Sequence, residues 1–168
     1  MFTGWGWPLP SGETPGDWVR ADGEIGLCVN GIHASNTDQL PQWLGDEIWE
    51  IELDGEIVRT EPALVAARGR LVRPLAEWDE AARLAFCEDC AMRARRIADR
   101  SPAGAEVYAG KIEPFTTRGM AAAVGYWTAL VAGEAVAGRR DGVEYDGAFT
   151  RERAAQAAWL RRELGLRH

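Results

Sequence analysis

Lysine is almost missing from this 168-residue chain: Lys111 is the one example, against eighteen arginines and twenty-six acidic residues. The net charge of −7 and a pI near 4.9 exclude a protein that grips nucleic-acid backbone nonspecifically, since that needs clustered cations. Cysteine is scarce as well. Three cysteines make no disulfide framework, and no basic segment followed by an apolar run opens the chain as a signal peptide would. The longest uncharged run, Gly119 to Gly133, is shorter than the about 20 apolar residues a bilayer span requires. These absences predict a cytoplasmic protein with reduced thiols and no membrane contact. Histidine is limited to His33 and His168, and no P-loop, dinucleotide fingerprint or Ser-His-Asp set is present.

What remains is ordinary for one globular domain: 46% hydrophobic and 27% charged residues, with eight tryptophans as large payloads for a core or a groove. The pattern divides near residue 73. Glycine, proline and short alternating runs fill residues 1–73, and Ala, Arg and Leu at helical spacing fill 74–168. Both halves are expected in a single α+β domain, an N-terminal mostly antiparallel sheet packed against a C-terminal bundle of about three helices.

In the first half, Asp17–Arg20, Ile25–Val29 and Ile32–Ala34 read as short strands, with Asn30-Gly31 as a turn. Asn36 or Thr37 caps a short helix through Leu44, with Pro41 in conflict. Trp49, Ile51 and Leu53 alternate with Glu50 and Glu52, the clearest strand signal in the chain. Asp54-Gly55 then predicts a hairpin turn, and Arg68-Gly69 a second turn between strands at 63–67 and 71–72. In the second half, helices are expected over Leu75–Arg100, Thr117–Ala137 and from Thr150 to Gly165, joined by a loop at 103–116 with a short strand at Val107-Tyr108. The middle helix is apolar on several faces, which predicts that Trp127 lies at the centre of the core.

The candidate site is Cys28-Val-Asn-Gly-Ile-His-Ala-Ser35. It places His33 after a glycine turn and just ahead of a helix start, where free N–H groups and the helix dipole favour an anion. His33 with Ser35 is the catalytic candidate. Gly31, Asn36, Trp43 and Arg68 are candidate ligand contacts for a nucleotide or other small anion. A rival reading joins Cys28, Cys87 and Cys90 to His33 as a zinc site, because Cys87 and Cys90 share one helical face; Glu88 and Asp89 weigh against it. The pair Glu50 and Glu52 suits either a groove or a solvated face. A non-enzymatic alternative uses exposed Trp5, Trp7 and Trp43 as anchors for a protein partner.

Two resemblances bear on these residues. Gly31-Ile-His-Ala34, a tryptophan-bearing helix and Trp49-Glu-Ile-Glu-Leu-Asp-Gly55 resemble a family of uncharacterised actinobacterial and phage proteins with a glycine-hydrophobic-histidine-alanine-cysteine motif. Ser35 stands where that family has its cysteine. Gly31 to Gln39, followed by Ile48–Leu53, is also similar to a segment of the ADP-ribosyltransferase and tRNA 2′-phosphotransferase superfamily. That likeness implies a nucleotide contact at His33 and allows NAD as cofactor, while the superfamily's second histidine and strand-borne arginine have no counterpart here.

Overall fold

The computed structural model describes residues 6–27, 29–61, 63–99, 102–137 and 142–166. The fold is α+β, and the chain divides into two compact units, Met1–Ala76 and Glu77–His168.

The first unit is a four-stranded antiparallel sheet of β1 (Val19–Arg20), β2 (Ile32–Ala34), β3 (Trp49–Arg59) and β4 (Leu64–Pro74). β4 is the organising strand. It carries β3 along one edge, while β2 and β1 pair in succession with 64–66 and 68–69 on the other. Two sequence expectations change here. Arg68-Gly69 is no turn but the middle of one continuous β4. Asp54-Gly55 lies inside β3 at a register shift, with Gly55 at φ +80°, so its turn-prone chemistry serves a bulge. The chain reverses later, where Thr60 N–H donates to the Ala63 carbonyl at 3.0 Å and the Thr60 hydroxyl bonds the same segment.

The expected strand at Ile25–Val29 is instead a tight loop, closed by the Gly26 N–H on the Asn30 carbonyl (2.9 Å) and the Val29 N–H on that of Gly26 (3.1 Å). Cys28 lies outside the described residues. The helix foreseen up to Leu44 shrinks to a 3-10 turn, Leu40–Gln42, because Pro41 supports only a first turn. The β3 alternation holds through Leu53, with Glu50 and Glu52 exposed and Trp49, Ile51 and Leu53 half-buried. Val65, Ala66, Gly69 and Leu71 form the buried line of β4. Gly69 is required there, since a Cβ would come within 2.9 Å of Ile32 Cγ2.

The second unit has three long helices, α1 (Glu80–Ala98), α4 (Ala121–Ala137) and α5 (Val143–Leu164). Residues 103–116, foreseen as loop and strand, are helical, within α2 (Pro102–Val107), a π turn (Tyr108–Ile112) and α3 (Glu113–Thr117), whose proline sits in its first turn where no N–H is needed. Asp79 caps α1, accepting from the Ala82 N–H at 2.8 Å. α5 ends at Gly165 in the left-handed region, with the Leu166 N–H on the Arg161 carbonyl. α4 begins at Ala121, later than Thr117, and buries mainly small residues: Ala121, Gly125, Thr128, Ala129 and Gly133 beside Val124, Leu130 and Val131. That brings α5 close: a Cβ on Gly133 would stand 2.5 Å from the Tyr145 ring. Trp127 is half-buried rather than central. The aromatic core is Trp78, Phe86 and Trp159, meeting edge to face at 6.0 and 5.4 Å. Among the described residues no helix is long and apolar enough to cross a membrane.

Candidate functional site

Gly31 sets the position of His33. Its φ of +128° suits glycine alone, and a Cβ would lie 2.4 Å from Val65 Cγ1. His33 is half-buried in β2, directly opposite Val65. Its Nδ1 lies 3.0 Å from the Gly31 carbonyl. A carbonyl only accepts, so Nδ1 carries the hydrogen of this bond. The half-buried Ser35 follows the strand.

The amides expected to receive an anion beyond Ser35 are largely committed. The Gln39 N–H donates to Asn36 Oδ1 and the Asn36 N–H to Gln39 Oε1, each at 3.0 Å, a reciprocal box. The Leu40 N–H bonds the Asn36 carbonyl at 3.0 Å. Asn36 therefore closes the turn ahead of the 3-10 element, whose N-cap is Gln39 rather than the expected Asn36 or Thr37, and a three-residue 3-10 turn supplies little dipole. Gln39, which sequence reasoning passed over, is buried and reaches across with Nε2 to the carbonyls of Thr60 (3.0 Å) and Glu61 (2.7 Å). Its side chain ties the 36–42 segment to the β3–β4 turn. Trp43 is 40% exposed, Trp7 is half-buried, and Trp5 lies outside the described residues.

Arg68 is placed differently from the other candidate contacts. It lies three residues along β4 from Val65, about 10 Å of strand from the cross-strand partner of His33. On the β3 side it is ion-paired with Asp54. On the β1 side its direct partner is Arg20. The two guanidinium groups of Arg68 and Arg70 each stand 4.7 Å from the Trp18 ring centroid. Arg20, Ala21, Asp54, Gly55, Ala67 and Arg68 line an open depression of about 410 Å³. Arg20 is exposed and makes no ion pair within the described residues. Arg20 was not legible as a site residue, because only the β1–β4 register sets it beside Arg68.

Glu50 and Glu52 are not a catalytic pair. Arg73 takes Glu50 at 2.9 Å and Arg70 takes Glu52 at 2.6 Å, so both belong to a solvated cross-strand ladder. Such exposed pairs are each worth about 0–1 kcal/mol.

A polar cluster unseen in the sequence lies within the helical unit. Arg93 on α1 donates to Glu152 on α5 at 3.0 and 3.3 Å, pairs with Asp89, and reaches the Cys90 sulfur at 3.3 Å. Gln156 donates to Glu152 at 3.0 Å and to the Gly125 carbonyl of α4 at 2.9 Å, while Arg153 donates to Gln156. Glu152 and Gln156 are buried. Burial pulls the Arg93 pKa down, but the Glu152 hydrogen bond and the neighbouring Cys90, Glu152 and Asp89 leave it raised overall. These groups join three helices through hydrogen bonds, which is the geometry of a structural network.

Cys87 and Cys90 are both buried on the inner face of α1, as their spacing suggests. Burial pushes the Cys87 thiol up to about 11 and raises Cys90 as well. Among the described residues, no three His, Cys, Asp or Glu side chains are grouped to hold a metal ion. A thiol that stays neutral is a poor nucleophile. Alkylation at pH 8 should therefore leave both cysteines unmodified in the folded protein and modify both in urea, as read by peptide mass. The unfolded thiol ionises near 8.5, whereas folded Cys87 holds its proton to about 11. The unfolded state thus releases the proton first, and stability should fall as pH rises through that interval.

Comparison with protein-family models, with curated proteins and with solved structures finds no match to this chain.

Proposed function

We propose that this protein is a binding module for a small anionic ligand, taken on the sheet at Arg20 and Arg68. The observation that carries the reading is the direct cross-strand pairing of these two arginines beside an open depression. Like charges directly opposite each other on a sheet are destabilising by roughly 0.2–1 kcal/mol. Asp54 offsets only Arg68, so the arrangement leaves a cation exposed at the lip of a hollow. A phosphate or carboxylate bridging both guanidinium groups would relieve the repulsion with charge-assisted hydrogen bonds.

Arg20→Gln separates ligand binding from architecture. Without ligand the variant should be as stable as the parent or up to about 1 kcal/mol more stable, since a repulsion is removed. With inorganic phosphate or a nucleoside monophosphate, the parent should gain thermal stability and show amide shifts at Ala21, Gly55 and Ala67. The variant should show neither. Equal responses in parent and variant, or none in the parent, would reject the site.

A second reading is favoured by one observation, the Gly31 hydrogen bond that takes up Nδ1 and fixes the orientation of the His33 ring, as the orienting partner of a general base does. With the resemblance around Gly31–Gln39, it makes His33 and Ser35 the catalytic candidates of an ADP-ribosyltransferase-like enzyme using NAD. Release of nicotinamide from NAD by the parent and its loss in His33→Ala would support this. A parent that leaves NAD intact would reject it.

A further inference from the structure

Strand β3 is an edge. It spans Trp49–Arg59 and pairs with β4 alone, and six of its eleven residues are exposed. The other side of β3 therefore presents backbone N–H and C=O groups without a ladder partner among the described strands. The polar side chains along this strand, the first three alternating with Trp49, Ile51 and Leu53, are Glu50, Glu52, Asp54 and Glu56, all acidic, until Arg59 at the far end. Their neutralising arginines stand one row inward, on β4. At the inner two rungs the carboxylates are the more exposed partners, 48% for Glu52 against 30% for Arg70, and 45% for Asp54 against 32% for Arg68.

That order of charges decides what the edge accepts. A second copy of β3 is disfavoured. Antiparallel pairing centred on Leu53 opposes Glu52 to Asp54 and Glu50 to Glu56, and in-register parallel pairing opposes each acid to itself. A strand with cations at alternate positions meets no such penalty. Each carboxylate has acceptor capacity beyond its bonds to one arginine, so an outer cation would extend the row as Arg–acid–cation. Register shifts between Glu50 and Ile51 and between Asp54 and Ile57 bend the strand, which limits regular pairing to the stretch 51–54.

We infer that the Ile51–Asp54 edge of β3 receives an extended basic segment of another protein by strand addition, with lysines or arginines facing Glu52 and Asp54. Main-chain hydrogen bonds give the affinity, and the carboxylate row gives the preference for cations.

The test uses the full chain and two synthetic peptides of equal charge. One is a hexapeptide alternating lysine and valine. The other replaces its central valine with proline, which removes a strand N–H. The first should slow hydrogen exchange at backbone amides within 51–54 and bind about tenfold more tightly than the second, the effect of losing roughly one hydrogen bond and the strand geometry. Equal binding of both peptides would show attraction by charge alone and overturn the proposal. So would the absence of binding, or protection appearing elsewhere, such as around Arg20.

Discussion

Arg93→Ala should destabilise the helical unit by about 3–5 kcal/mol, the cost of leaving a buried charge without its partner. Arg93 is the hub of α1, bonding Glu152, Asp89 and the Cys90 sulfur. Glu152 is only 8% exposed, and without Arg93 it retains the hydrogen bond from Gln156 alone among the contacts described above. Chemical denaturation of the variant, followed by helical circular dichroism, gives the number. The pair itself is a separate matter. Replacing both partners by apolar residues of similar volume should recover most of the loss, because a buried ion pair gains little over good packing. If Arg93→Met with Glu152→Met is no more stable than Arg93→Ala, the network contributes attraction of its own.

Gly31→Ala should cost the sheet unit about 2–5 kcal/mol. Two penalties add. A φ of +128° is strained for any residue with a Cβ, at about 1–2 kcal/mol, and the new methyl meets Val65 Cγ1 at 2.4 Å, an overpacking worth about 1–3 kcal/mol. Val65 is fully buried, so it has no room to move aside. Because Gly31 also positions His33, the variant should shift the His33 ring signals in a proton NMR spectrum. A variant as stable as the parent would mean that the turn can relax.

Parts of this architecture are written locally. Glu50 and Glu52 alternating with Ile51 and Leu53 mark a strand with one wet face, and that is how β3 is built; its place at the edge comes from the pairing alone. Asn30-Gly31 marks a turn because glycine reaches a φ closed to other residues, and Asn36 closes the next turn because its short side chain accepts from the Gln39 amide, although the N-cap itself falls at Gln39. Asp54-Gly55 shows where local signals stop. The same glycine conformation serves a two-residue turn and a bulge, and only the pairing of Thr60 with Ala63 decides between them. Residues 103–116 look like loop because of their glycines and Pro114, yet the proline falls in the first turn of α3 and Ile112 is fully buried. The site was half legible. Arg68 stands out as a cation on a strand, but its partner Arg20 is distant in sequence and meets it only through register. The Arg93, Glu152 and Gln156 cluster was invisible for the same reason, since its members come from helices about sixty residues apart and each alone reads as a solvated position.

The arginine–acid ladder along β3 and β4 carries less positional information than it suggests. A slip of two residues one way would set Arg68 and Arg70 against Glu56 and Asp54. A slip the other way would set them against Glu52 and Glu50. Both alternatives keep the faces of the strands and most of the Coulomb attraction. The repeated charges are therefore degenerate: they hold whichever alignment forms first. Selection of the native one falls to features that do not repeat, the Thr60–Ala63 reversal, the Gly55 bulge and the Gln39 amide that grips the reversal from outside. In this hairpin the ion pairs are interchangeable and individually weak, and three uncharged groups are the alignment marks.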